Sequence, residues 1–356
     1  MILTLADLVS ASARRVPERP ALRQGSQTLS HGQLDAEVQR AAGALLGLGL
    51  ARGSRVAVVV DKRVEAVIAM LAASAAGLVF VPVNPVLKAP QVAHILADAG
   101  ARVLVCARGR ASLALDVLAR CPDVGHLVLF GEAPGEVGLP TAPPGRTLRS
   151  WADWLDGVTA GASPPLRAID ADVAALLYTS GSTGQPKGVI VSHRNLVAGA
   201  RSVAAYLPIG QDDVVLAVLP LSFDYGLNQL SQCFLVGACA VLHTHLLARD
   251  VLEALQQHGA TALAGVPPLW MQLAELDWPA PVVQRLRFIT NSGGHLPLPT
   301  LTHLRSRLPH TAVFLMYGLT EAFRSTWLPP DELDRRPGSI GRAIPNAEVL
   351  VLREDG

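Results

Sequence analysis

Leu176-Leu-Tyr-Thr-Ser-Gly-Ser-Thr-Gly-Gln-Pro-Lys-Gly188 is the densest run of chemistry in the chain. An apolar strand pattern runs into hydroxyls and glycines and ends on Lys187. Glycine lets a backbone approach an anion closely, hydroxyl and N–H groups donate to phosphate oxygens, and a lysine supplies a point charge. The ligand this composition calls for is a polyphosphate. Lysine is scarce here: Lys62, Lys88 and Lys187 are the three in the sequence, so one that closes a glycine loop carries weight. The run is not a Walker A loop, because Pro186-Lys187-Gly188 stands where Gly-Lys-Ser/Thr is required and no helix pattern opens at the lysine. A surface turn also collects Ser, Gly and Thr. The longer ordered pattern behind an apolar strand favours the phosphate loop.

Upstream of this loop, helix and strand patterns alternate: a helix over 32–48, a β-branched strand over 55–60, a helix over 64–76, a strand over 78–83, a helix over 90–99 and a strand over 103–106. Nearly all-apolar strands alternating with helices predict a parallel sheet covered on both faces. Residues 131–165 shift to Gly and Pro, with one short helix at Ser150-Trp-Ala-Asp153, and read as a connection between sub-domains. Beyond it come strands over 173–178, 188–191, 214–219, 238–242, 286–290 and 312–316, with helices from Asn195 and through 227–235. A last strand is expected over 347–352, followed by the hairpin-turn pair Asp355-Gly356. The expected organisation is α/β: a first sub-domain over 1–165, a second carrying the loop over 166–336, and the start of a small β region over 337–356. A strand with no partner following it makes the chain read as the N-terminal portion of something longer.

At 356 residues the chain exceeds what a single hydrophobic core usually fills. Half of the residues are hydrophobic and 17% are charged, a balance that excludes disorder. With 30 basic and 29 acidic residues and no basic run longer than two, the footprint of a nucleic-acid binder is missing. Cys106, Cys121, Cys233 and Cys239 show no CxxC spacing, which argues against zinc and a redox dithiol and for buried thiols in a reducing, cytoplasmic compartment. The first residues lack the charge order of a secretory signal, and Thr4-Leu-Ala-Asp7 reads as a capping box. The apolar stretch over 66–81 is interrupted by Ser74 and Gly77 and closed by Pro82, short of the roughly 20 residues of a membrane span.

Further along stand Ser292-Gly-Gly-His295, Tyr317-Gly-Leu-Thr-Glu321 and Gly338-Ser-Ile-Gly-Arg-Ala-Ile-Pro345, and upstream Ala76-Gly-Leu-Val-Phe-Val-Pro-Val-Asn-Pro85. In this order, with Leu176 to Lys187 between, they resemble the landmarks of the acyl-adenylate-forming (AMP-binding) superfamily of acyl-CoA synthetases, luciferases and non-ribosomal peptide synthetase adenylation domains. The resemblance implies that Thr179, Ser180, Gly181, Ser182, Thr183, Gly184 and Lys187 hold the triphosphate of ATP. It places Gly293, Gly294 and His295 on the adenine side, with His295 where the family often has Glu. Tyr317 and Gly318 would cover the base, Thr320 would contact the α-phosphate and Glu321 would bind Mg²⁺. These roles suit an aromatic face, a hydroxyl and a hard carboxylate. Alone, Tyr317 is an ordinary core tyrosine and Glu321 a solvated turn residue.

Phe223-Asp-Tyr-Gly-Leu-Asn228 resembles the family's acyl pocket, and its Phe-Asp pair is similar to amino-acid-activating members, in which the aspartate binds an ammonium. Asp224 and Asn228 share a helix face; the alternative is an N-cap aspartate, and Gly226 departs from the residue often found in those members. Ser222 to Gln229 is also similar to exosortase-associated acyl ligases. His193 follows an N-cap-like Ser192 and reads as a helix start rather than an acid or base.

The family reaction joins a carboxylate to the α-phosphate of MgATP with release of pyrophosphate, then passes the acyl group to coenzyme A or a carrier-protein phosphopantetheine. It needs fixed donors and Mg²⁺ but no protein nucleophile, which matches the absence of a nucleophile–base constellation in the sequence. The family's ribose-binding aspartate, its hinge and its C-terminal lid with the catalytic lysine are not found before Gly356, and Lys187 does not take that lysine's part. The expectation is an AMP-forming acid–thiol ligase, incomplete as given, acting on a small carboxylate, with a carrier protein as a partner. The alternatives are amino-acid adenylation for a carrier protein, a non-catalytic nucleotide-binding fragment, and an unrelated phosphate binder, against which the YGLTE segment counts.

Overall fold

Thr4 Oγ1 accepts from the Asp7 amide and Asp7 Oδ2 accepts from the Thr4 amide, so α1 (Leu5–Arg15) opens in the reciprocal cap read from the sequence. The computed structural model describes residues 2–131, 138–156, 158, 168–180 and 186–353. The chain divides into two units, Met1–Val197 with Pro220–Asp224, and Ala198–Leu219 with Tyr225–Gly356.

In the first unit α1 is followed by β1 (Pro20–Gln24), β2 (Gln27–Ser30), α2 (His31–Leu46), β3 (Arg55–Val59), α3 (Val64–Ala75), β4 (Val79–Val83), α4 (Ala89–Ala99) and β5 (Ala101–Ala107). Then come α5 (Ala111–Arg120), β6 (His126–Phe130), β7 (Thr147–Ser150), α6 (Trp151–Leu155), β8 (Val173–Ser180), β9 (Pro186–Ser192) and α7 (His193–Tyr206), which runs on into the second unit. Seven strands form a sheet in the order β7-β6-β5-β3-β4-β8-β9. It is parallel from β7 to β8 and closed by antiparallel β9. The β3 and β4 sequences, RVAVV and VFVPV, are buried almost throughout, as strands covered on both faces must be. Ser150 caps α6 by accepting from the Asp153 amide.

The boundary expected between 165 and 166 lies elsewhere. The hairpin β8–β9, which flanks the glycine loop, pairs with β4 through Phe80 and Ala175 and so completes the first sheet. An apolar strand such as β8 is covered only by joining a sheet, and the described residues 138–156 of the Gly/Pro-rich stretch before it belong to the same unit.

The second unit adds β10 (Val214–Ala217), α8 (Asp224–Val236), β11 (Cys239–Leu242), α9 (Ala248–His258), β12 (Ala262–Gly265), α10 (Pro267–Ala274), α11 (Ala280–Arg285) and β13 (Phe288–Asn291). It continues with α12 (Leu298–Arg307), β14 (Ala312–Tyr317), β15 (Thr326–Leu328) and β16 (Arg342–Ala343). Its strands run β16-β15-β14-β13-β12-β10-β11, with β15 and β16 antiparallel and the others parallel. Trp270, Leu273 and Leu304 from the helices meet Leu263, Ile289 and Val313 from the strands in one apolar core. Both units are thus mostly parallel α/β sheets, the fold class expected. All four cysteines are buried and none is in a disulfide; burial pushes the Cys106 thiol up to about 12 and raises those of Cys121 and Cys233.

One expected element does not form. Residues 347–352 make no strand, and Val351 is 97% exposed. A strand needs a neighbour for its alternate N–H and C=O groups, and no described strand pairs with this segment. Asp355-Gly356 lies outside the described residues.

Candidate nucleotide site

β13 and β14 are parallel neighbours in the register Asn291 to Leu315. The turn after β13 and the end of β14 therefore emerge at the same carboxyl edge, where open α/β sheets place their ligands. The turn is Ser292-Gly-Gly-His295, with Ser292 buried and Gly293, Gly294 and His295 exposed. Gly293 has φ +78°, a conformation open to glycine at little cost. Asn291 Nδ2 donates to the Gly294 carbonyl at 3.0 Å and draws the turn closed.

Tyr317 ends β14 with 43% of its surface exposed, so it is not the buried core tyrosine that the residue type alone would suggest. At Gly318 a Cβ would stand 2.9 Å from the Arg324 Cα, because the chain folds back on itself over 318–324. Within that fold Thr320 is buried and Glu321 is exposed. Phe323 has φ +61°, an outlier for a bulky residue, and its ring lies where any Cβ on Gly199 of α7 would collide. The Arg324 guanidinium sits 4.5 Å over the Tyr225 ring and donates to the Phe323 carbonyl at 2.8 Å. Tyr225 and Thr290 share a 2.5 Å hydroxyl hydrogen bond, so α8, β13 and the segment after β14 are tied together. Arg324, Tyr225 and Thr290 went unnoticed in the sequence. An arginine six residues past a Tyr-Gly step carries no signal of its own until the fold buries it over an aromatic ring.

In the first unit, β8 and β9 pair as far as Thr179 with Lys187 and Ser180 with Pro186. Gly181, Ser182, Thr183 and Gly184 lie outside the described residues. Lys187 is exposed on a strand, and the lack of a helix there agrees with the exclusion of a Walker A loop. Tyr178 donates to Asp98 at 2.6 Å, and burial together with that carboxylate raises its hydroxyl pKa. A cavity of about 600 Å³, lined by Asn84, His94, Tyr178, Thr179 and Pro186 among others, lies at the loop end of the hairpin strands. Phe223 is 36% exposed, whereas Asp224 in the first turn of α8 and Asn228 one turn on are both buried. Their shared helix face is therefore an inward one. Asn228 Oδ1 accepts from Gln232.

His193 behaves as a structural histidine. Its Nδ1 accepts from the Leu5 amide at 3.3 Å, and burial lowers its pKa to about 4. Ser192 Oγ accepts from the Asn195 amide and Asn195 Oδ1 accepts from the Ser192 amide, which caps α7. Among the described residues no three His, Cys, Asp or Glu side chains cluster as a metal cage. An exposed single carboxylate such as Glu321 suits Mg²⁺, which keeps several waters and completes its octahedron with phosphate oxygens.

The AMP-binding enzyme family model matches residues 9–356. The chain is 34% identical to the L-proline--[L-prolyl-carrier protein] ligase of Streptomyces coelicolor, over 95% of this chain and 64% of that protein. It is 28% identical to 4-coumarate--CoA ligase 5 of Oryza sativa subsp. japonica, over 99% of this chain and 65% of that protein. The chain thus spans about two thirds of the length of either. Among solved structures, VinN in complex with L-aspartate superposes with a TM-score of 0.79 at 29% identity, covering 97% of this chain and 84% of that one. A family match that runs along nearly the whole sequence, from residue 9 to 356, places the chain in the AMP-binding enzyme family.

Proposed function

We propose that this chain carries the greater part of an AMP-forming acid–thiol ligase. A carboxylate oxygen attacks the α-phosphorus of ATP, the bond to the bridging oxygen breaks, and pyrophosphate leaves with that electron pair. The acyl group of the resulting adenylate then passes to the thiol of coenzyme A or of a carrier-protein phosphopantetheine. One observation carries the reading: the exposed Tyr317 ring and the open Gly293-Gly294 turn stand at the carboxyl edge of adjacent parallel strands. An aromatic face and a turn without side chains form a slot for a planar base. Thr320 donates to the α-phosphate, and the hydroxyls and amides of 179–184 with Lys187 hold the β- and γ-phosphates. Fixed donors of this kind stabilise charge as it develops on the phosphate oxygens. Glu321 would hold Mg²⁺, which when bound neutralises phosphate charge.

The substrate is read from Asp224. A buried carboxylate facing an acyl pocket pairs with a substrate ammonium, which favours an amino acid; the relatives named for L-proline and L-aspartate support that choice. A carrier protein is then the fitting acceptor, while the 4-coumarate relative supports coenzyme A. No helix of the described residues is long and apolar enough to cross a membrane. The likeness of Ser222 to Gln229 to exosortase-associated ligases has no counterpart among these three relatives and is carried no further. The test is ATP–pyrophosphate exchange by the full-length enzyme with Thr183→Ala and Lys187→Ala combined. Exchange should fall at least about tenfold, as expected when charge-assisted hydrogen bonds to phosphate are lost. Exchange and MgATP affinity equal to the parent's would remove the loop from the site.

A further inference from the structure

Two buried polar atoms of the second unit have no hydrogen-bond partner and are complementary. One is Trp270 Nε1, which only donates; the other is Asn291 Oδ1, which only accepts. Trp270 is fully buried and Asn291 is 3% exposed. Their places in the sheet bring them together. Gly265 of β12 and Asn291 of β13 are paired in the parallel register, so what stands over Gly265 and what projects from Asn291 share one face. The Trp270 indole stands over Gly265: a Cβ there would lie 2.6 Å from Cε2 and 2.8 Å from Nε1. Adjacent strands are about 4.8 Å apart, a spacing that one bridging water between side chains on the same face can span. Buried donors and acceptors are seldom left empty, and neither group has another partner to turn to.

We propose that one buried water joins Trp270 Nε1 to Asn291 Oδ1 and that this tie positions the Gly293-Gly294 turn. The indole N–H donates to the water, the water donates to Oδ1, and Asn291 Nδ2 holds the Gly294 carbonyl. The first turn of α10 supports the same place, since a Cβ on Gly294 would meet Pro267 at 3.2 Å. Trp270 and Asn291 are thus positioning residues, set behind a turn that itself meets the ligand. This last step rests on reading the turn as an adenine contact.

The experiment is a double-mutant cycle on the chain, Trp270→Phe, Asn291→Ala and both, followed by urea unfolding and by ATP titration, together with a crystal structure of the parent at a resolution that shows ordered water. Density for a water within hydrogen-bond reach of both atoms is expected. Each single change should weaken ATP about threefold to tenfold, the value of one hydrogen bond. The double variant should be no weaker than Asn291→Ala alone, in affinity and in unfolding midpoint alike. A dry contact in the crystal, or effects that multiply, overturns the tie. If the parent binds no ATP, the adenine reading of the turn and the positioning role built on it both fail, while the crystal and the unfolding cycle still decide the tie itself.

Discussion

Acidification should destabilise the first unit through His193. The imidazole is 1% exposed, accepts from the first amide of α1, and is held to a pKa of about 4 by burial, against a smaller upward pull from Asp172 and Asp7. In the unfolded chain it titrates near its ordinary 6.5. The folded pKa lies below the unfolded one, so the folded state keeps its full stability above pH 6.5 and loses it as the pH falls toward 4. In that window the unfolded chain binds a proton that the folded chain refuses. Each pH unit costs up to about 1.4 kcal/mol, so roughly 3 kcal/mol is lost by pH 4, a large share of the 5–15 kcal/mol typical of domains. His193→Gln removes the titration and keeps a hydrogen-bond acceptor for Leu5. Urea midpoints of parent and variant, followed from about pH 7.5 to about pH 4, should diverge by that amount, the variant losing less. Taking the difference cancels the other titrating groups, His126 among them. Parallel curves would mean that His193 is hydrated or already charged in the folded protein, and the burial argument would fail.

Asp224→Ala in the full-length enzyme should lower pyrophosphate exchange with amino acids at least about tenfold and leave their deamino analogues little changed; equal losses for both would make Asp224 a helix-cap residue. Glu321→Gln should shift the Mg²⁺ dependence of adenylate formation to higher concentration without moving the unfolding midpoint, since the side chain is exposed; overlapping Mg²⁺ curves would deny it the metal. Gly341 has φ +88°, and a Cβ there would press into the Trp327 carbonyl. Gly341→Ala should therefore lower stability by about 2 kcal/mol or more, and an unmoved urea midpoint would contradict the clash.

Long apolar strands were legible because burial on both faces leaves an unbroken run, as in 55–60 and 78–83. Caps were legible too, since Thr4, Ser150 and Ser192 act on neighbours three residues away. β12 was not: Ala-Leu-Ala-Gly has little strand propensity, and it is a strand because it pairs with β10 on one side and β13 on the other, with the Trp270 indole over Gly265. The strand expected over 347–352 shows the converse, β-branched residues with no described strand to pair with. Allegiance of the β8–β9 hairpin to the first sheet could not be read either, because pairing between strands distant in sequence leaves no local mark. At the candidate site, the motif residues stood out in the sequence by type and order. The residues behind them, Asn291, Thr290, Tyr225 and Arg324, did not, because their roles depend on which helix and strand come to lie side by side.

The four buried thiols have a practical consequence. Alkylating reagents attack the thiolate, and a thiol that is both shielded and held at a raised pKa offers almost none at neutral pH. Cys106, Cys121 and Cys233 are held back on both counts and Cys239 by burial. A cysteine introduced at exposed Leu319, two residues past the Tyr317 ring, would take up a fluorophore or spin label ahead of the four buried thiols, and the environment of the YGLTE segment could then be followed with one substitution as nucleotide is added.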